Sequence, residues 1–395
     1  MSPGPLAGIR VVDFGRFIAG PYCSMLLADM GADVIRVDRR QGSEDRYIGP
    51  VADDGHGGHY LSLNRNKRSL TLDVSTAGAA GIIERLARGA DVVIANLPVA
   101  VLKKMRIDFE SLQAIKPDII LARISTFGPD GPYANRLGFD AIAQAMSGAM
   151  SLTGFPDRPI RSIVPFEDFG TALHTAFGVM VALYARRQTG RGQIVDGSLL
   201  ATAVTFMQPL LAERSVGRIQ REPIGNGGLY SAPTDTYRTK DGWIIVQIIG
   251  NDMFARWARL VGREEMIADP DFADDTLRQS HRTALDDVMN AWLANRTCAE
   301  ALALMETARV PAGPILGLDA MLDDPQVKAR ELLHDVTYPG NSRAVPLAAT
   351  PVRLSDTPGE IRRRAPTPGE HTDEILGELG YSAAEIASLH EARTV

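Results

Sequence analysis

A chain of 395 residues with 45% apolar content exceeds what one ordinary core needs, so two or more domains and a sizeable enzyme are within reach. The formal net charge of −6 is spread over mixed-sign residues without long runs, which argues against a general nucleic-acid or membrane-surface binder. Cys23 and Cys298 are too few for a disulfide framework, and the seven histidines show no HExxH or other ligand spacing, so no metal is expected.

Residues 1–8 lack the charged and apolar regions of a secretory signal, and the longest apolar run, 177–185, is too short to span a bilayer. A cytoplasmic location is expected. Residues 9–14 have strand character, 15–21 form a turn, 22–30 have helical spacing and 33–37 return to a strand. The alternation continues with helix at 79–87, strand at 91–95, helix at 109–115 and strand at 119–125, which predicts an α/β fold with a largely parallel sheet. Gly15 and Gly20 do not make a GxGxxG fingerprint, so a nicotinamide or flavin site is disfavoured. A long helix over 168–187 ends at a C-capping Gly190, and 192–200 reads as extended. Beyond it come a hairpin at 237–249, amphipathic helices at 252–261, 281–294 and 299–308, a proline-rich connection, and a last helical segment from Thr372. The expected layout is a large domain over 1–204, a smaller α+β domain over 205–320, and a segment over 321–395.

Several strings occur in order along the chain: GIRVVDF at 8–14, AGP at 19–21, GADVIRVD at 31–38, NKRSL at 66–70, and GFD at 138–140 with QA at 144–145. TGRGQ at 189–193, RVPA at 309–312 and PGEHTDEI at 368–375 complete the series. Together they resemble the family III CoA-transferases, the group of formyl-CoA, carnitine and bile-acid CoA-transferases. The resemblance implies that the 321–395 segment returns to the large domain and that two chains interlock as a homodimer. It further implies acyl-CoA and carboxylic acid substrates, coenzyme A as the group carried, and no metal.

On the same resemblance, Asp168 matches the nucleophilic aspartate, whose carboxylate would attack a thioester and pass through anhydride and aspartyl-CoA intermediates. From position alone it reads as an N-cap, and a helix N-terminus is expected to keep it ionised. Glu167 reads as a surface or ion-pair residue. Asp140 is a second, supporting carboxylate, and Gly227 and Gly228 fall where relatives carry a glycine-rich flap. The CoA contacts implied are Ile18, Ala19, Arg39, Leu72, Asn96, Leu97 and Lys104, with added charge from Lys67 and Arg68. Phe139, Met146, Phe155 and Tyr230 suggest an apolar acyl site.

Two other readings compete. An α-methylacyl-CoA racemase has the same fold, but its histidine position is Phe139 here, which carries no proton. A silent CoA-binding protein is the other, and retention of Asp168 speaks against it.

Overall fold

The computed structural model describes residues 4–53 and 55–395; residues 1–3, part of the leader reading, lie outside them. Six parallel strands build the main sheet: β1 (Arg10–Asp13), β2 (Asp33–Asp38), β3 (Lys67–Thr71), β4 (Val92–Ala95), β5 (Ile120–Ser125) and β6 (Ile194–Ser198), ordered β3-β2-β1-β4-β5-β6. Period-two alternation sends neighbouring side chains to opposite faces. Val12, Ile35, Val37 and Val93 pack on one side against Ile82 and Leu86 of the Ala79–Gly89 helix, joined by Ile375, Leu376 and Val395 from the C-terminal segment. Val11, Val34, Val92, Ile94 and Ile120 pack on the other against Cys23 and Leu27 of α1 (Ala19–Asp29) and Ala172 and Val179 of the long helix Phe166–Thr189. The central strands β1, β2 and β4 are therefore buried on both faces, as is usual for parallel sheets, while the edge strand β6 is largely open.

The long helix ends at Gly190, whose φ of 68° is the left-handed C-cap conformation glycine adopts without strain. Strand β3 has no apolar pattern, yet all five of its residues are buried, because Lys67 and Arg68 are held by carboxylates rather than by water. That is why periodicity did not reveal it.

The chain divides into two compact units. The first runs to Ser147, resumes over Ser162–Pro209 and closes with Gln326–Val395; the second comprises Gly148–Arg161 and Leu210–Pro325. The sequence reading had kept 148–161 with the large domain; here Gly225 N–H donates to Gly154 O at 2.7 Å, tying that short segment into the second unit. The second unit holds an antiparallel sheet of Thr234–Arg238, Trp243–Gln247 and Ala312–Pro314 over a core that includes Trp257, Leu285 and Met289. Among the described residues no helix is long and apolar enough to cross a membrane.

Candidate active site

Strand order reverses between β1 and β4, and in doubly wound sheets such a switch point opens a crevice beyond the carboxyl ends of the strands. The turn after β1 is fixed there by short-range demands. Asp13, fully buried, accepts from Gly15 N–H at 2.7 Å and from Ser24 Oγ at 2.6 Å. A Cβ on Gly20 would stand 2.9 Å from Gly15 Cα, so two glycines let the turn press against the start of α1. Asn96, just past β4, clamps the turn reciprocally: its Oδ1 accepts from Arg16 N–H and its Nδ2 donates to Arg16 O, both at 2.7 Å.

Two cavities flank this clamp, and Leu97 lines both. The first, about 490 Å³, gathers Arg39, Leu72 and Leu97 with Arg16, Arg40 and Met105. Arg39 is 70% exposed at its side chain and among the described residues pairs only with Glu44, at 3.3 Å, leaving it accessible to an anion. Lys104 is not on this wall, although Val101 and Met105 of its own helix are. Arg16 and Arg40 are cations the sequence reading did not single out, since each looks like an ordinary turn arginine.

Lys67 and Arg68 do not belong to a phosphate site. Lys67 Nζ spends its three donors on Asp13 Oδ2, Pro21 O and Asn64 Oδ1 at 2.8–2.9 Å, inside the protein. Arg68 is bound to Asp33, Glu374 and Glu378.

The second cavity, about 290 Å³, brings together Phe17, Ala19, Asn96, Leu97, Phe139 and Asp168, with Arg123 and Arg136. Ile18 is the N-cap residue of α1, between two of these wall residues, and its carbonyl accepts from Tyr22 N–H. Arg123 is paired with Asp196 at 2.7 Å. Arg136 stacks its guanidinium 4.0 Å from the Tyr133 ring centre and has no carboxylate partner among the described residues. Phe139 packs edge-on to Phe17. Met146, though exposed, is not on the wall, and Phe155 and Tyr230 belong to the second unit.

Asp168 occupies the first turn of the long helix Phe166–Thr189, whose N-cap position is Pro165. It is therefore not the cap. That role falls to Asp140, at the head of the Asp140–Met146 helix, whose Oδ2 accepts from the backbone N–H groups of Glu167 at 2.8 Å and Asp168 at 3.2 Å. The Asp168 side chain accepts no hydrogen bond among the described residues.

Two expectations are corrected here. The helix N-terminus does not hold Asp168 in the usual carboxylate range: burial, then the charges of Asp140 and Glu167, push it up to about 7. Glu167 is not a surface residue but 5% exposed, its Oε2 has no hydrogen-bond partner among the described residues, and burial with Asp140 raises it to about 7 as well. Three carboxyl groups thus share one helix end.

Gly227 and Gly228 lie in the second unit, and their N–H groups donate to Ile224 O at 3.2 Å and Thr234 O at 2.7 Å. Neither amide is left to meet an oxyanion in this conformation. A Cβ on Gly227 would fall 2.1 Å from Arg282 Nη1, so this glycine serves close packing.

A doubly wound sheet with a crevice at its switch point, walled by cations and an uncapped carboxyl, defines an α/β protein built to bind a large anionic ligand. Residues 6–372 match the model of CoA-transferase family III, and the chain belongs to that family. It is 35% identical to the succinyl-CoA–D-citramalate CoA-transferase of Chloroflexus aurantiacus, over 100% of this chain and 98% of the relative. It is also 35% identical to the succinate–glutarate CoA-transferase of Agrobacterium fabrum, over 95% and 96% of the two chains. Among solved structures, a CAIB/BAIF family protein from Brucella suis superposes with a TM-score of 0.85 at 34% identity, covering 96% of this chain and 100% of that one. The protein is a CoA-transferase, moving coenzyme A from an acyl-CoA to a carboxylic acid.

Proposed function

We propose that Asp168 is the nucleophile of the transfer. The observation that carries this reading is a carboxyl on the wall of the switch-point cavity, with no hydrogen-bond partner among the described residues and no duty as a cap. Its ionised oxygen attacks the donor thioester carbonyl, the C–S bond breaks, and an aspartyl acyl anhydride and CoA thiolate result. The thiolate attacks the aspartyl carbonyl and the donor acid leaves, giving an aspartyl-CoA thioester. The acceptor carboxylate attacks that thioester and again expels the thiolate. The thiolate then takes the acceptor acyl group from the second anhydride, restoring Asp168. A carboxyl raised toward 7 is more basic than an ordinary aspartate while still largely ionised above neutrality, which suits a nucleophile.

Coenzyme A would lie with its nucleotide at the first cavity, near Arg39, Leu72 and Leu97, and its pantetheine arm past Leu97 toward Ala19 and Asn96. Ile18 is a secondary contact in this arrangement, and Lys104, off the cavity wall, is not one. Relatives that exchange CoA between succinyl-CoA or succinate and citramalate or glutarate point to short dicarboxylic acids as substrates here. Arg136, the cation of the second cavity without a carboxylate partner, is the counter-charge available for the free carboxylate. Racemisation is the weaker reading, since Phe139 offers no proton. A homodimer accords with the long helix, which exposes Leu173, Phe177, Val181 and Tyr184 along one stretch.

A panel of acyl-CoA donors and free acids, followed by mass spectrometry, tests the assignment. New acyl-CoA should form with dicarboxylic pairs such as succinyl-CoA and glutarate, and solvent deuterium should not enter the α-carbon of a 2-methylacyl-CoA. Rapid α-carbon exchange that is lost in Asp168→Asn would replace this reading with the racemase one.

A further inference from the structure

We infer that Gln144 is a positioning residue for this reaction: through Asp140, it sets where the first turn of the Asp168 helix stands. The inference rests on the reading of Asp168 as nucleophile. Gln144 is buried one turn after Asp140, and both ends of its carboxamide are used. Its Nε2 donates to Asp140 Oδ1 in a short hydrogen bond, and its Oε1 accepts from Ser162 N–H at 3.0 Å. Asp140 Oδ2, the other carboxylate oxygen, takes the N–H groups of Glu167 and Asp168. One side chain therefore joins the Asp140–Met146 helix, the segment entering the Asp168 helix, and, through Asp140, the nucleophile's own backbone.

The geometry demands a side chain that donates from one terminal atom and accepts at the other. Asp140 needs a donor at Oδ1 and Ser162 needs an acceptor, and a group bearing both on one carbon meets the two demands at once. Methionine would fill the volume with neither. An ionised glutamate would accept from Ser162 but set a second negative charge against Asp140. A protonated glutamate, in contrast, reproduces both bonds, its O–H donating to Asp140 and its other oxygen accepting from Ser162. The titratable groups facing Asp140 are Glu167 and Asp168. The packed helix Leu199–Phe206 supplies no titratable group, and His174, further along the Asp168 helix, is held at 3.1 Å by Thr202 Oγ1.

The test compares the single-turnover rate of Asp168 acylation in wild type, Gln144→Glu and Gln144→Met across pH 6 to 8.5, with free CoA binding measured in each. The Gln144→Glu rate should stay within about threefold of wild type at the low end and fall roughly thirtyfold or more below it at the high end, the scale expected from an ångström of misplacement. Gln144→Met should be slower by a ratio that does not change with pH, and CoA affinity should hold within about twofold in both, since the nucleotide contacts lie at the other cavity. A pH-independent ratio for Gln144→Glu, or wild-type rates in both variants, would overturn the inference; if Gln144→Glu does not fold, an unimpaired Gln144→Met overturns it alone. Failure to trap wild-type Asp168 with hydroxylamine would instead remove the nucleophile reading beneath it.

Discussion

Asp168 is costly where it sits, and that cost has a sign. Its folded pKa of about 7 lies above the value of about 3.9 for an unperturbed aspartate, so the native state holds a proton that the unfolded chain has already lost between those pH values. Stability therefore declines as pH rises from about 4 to 7, and the penalty is fully present above 7. Asp168→Asn should raise the melting temperature at pH 8 while leaving it nearly unchanged at pH 4, measured by thermal denaturation with free CoA absent. Because attack requires the ionised form, the rate of wild-type acylation should rise with pH through about 7 and then level. Arg39, exposed and loosely paired, should act on binding alone: Arg39→Ala is expected to raise the KM for acyl-CoA severalfold with kcat unchanged, whereas Lys104→Ala should change neither appreciably. Asp168 and Asp140 were legible in the sequence as residues, but not their division of labour. The N-cap of this helix comes from a residue 28 positions earlier, a relation no local spacing encodes.

At the scale of elements, β3 separates two explanations of one lysine. If Lys67 served a substrate phosphate, Lys67→Met would raise KM and leave the fold intact. The structure instead pairs it with Asp13 beneath the sheet, so the substitution strands a buried carboxylate and should destabilise the protein by about 3–5 kcal/mol. Chemical denaturation of the variant decides between them. The βαβ units, the long helix and the hairpin were readable because each buries apolar residues at the period of its own geometry. Strand β3 was not, because paired charges replaced apolar side chains, and the Asp140–Met146 helix was not, because the face it buries carries Asp140 and Gln144 beside Ala143 rather than an apolar stripe. Tight approach at the switch point is equally hidden: Gly20→Ala should impair folding, since the added methyl meets Gly15 backbone at 2.9 Å.

At the scale of the molecule, periodicity indicated an α/β body followed by a smaller module; that the last stretch returns to the first core was implied only by the family resemblance, and Ile375, Leu376 and Val395 pack there. What covers the apolar stretch of the long helix is a question of assembly; light scattering under native conditions should give twice the chain mass, and an active monomer would contradict the homodimer. Wild-type enzyme incubated with an acyl-CoA donor and hydroxylamine, then digested and mapped by mass spectrometry, should carry a hydroxamate at Asp168 and at no other carboxyl, and free CoA should not replace the donor. Modification at Glu167 or Asp140, or at no carboxyl while turnover proceeds, would contradict Asp168 as the nucleophile.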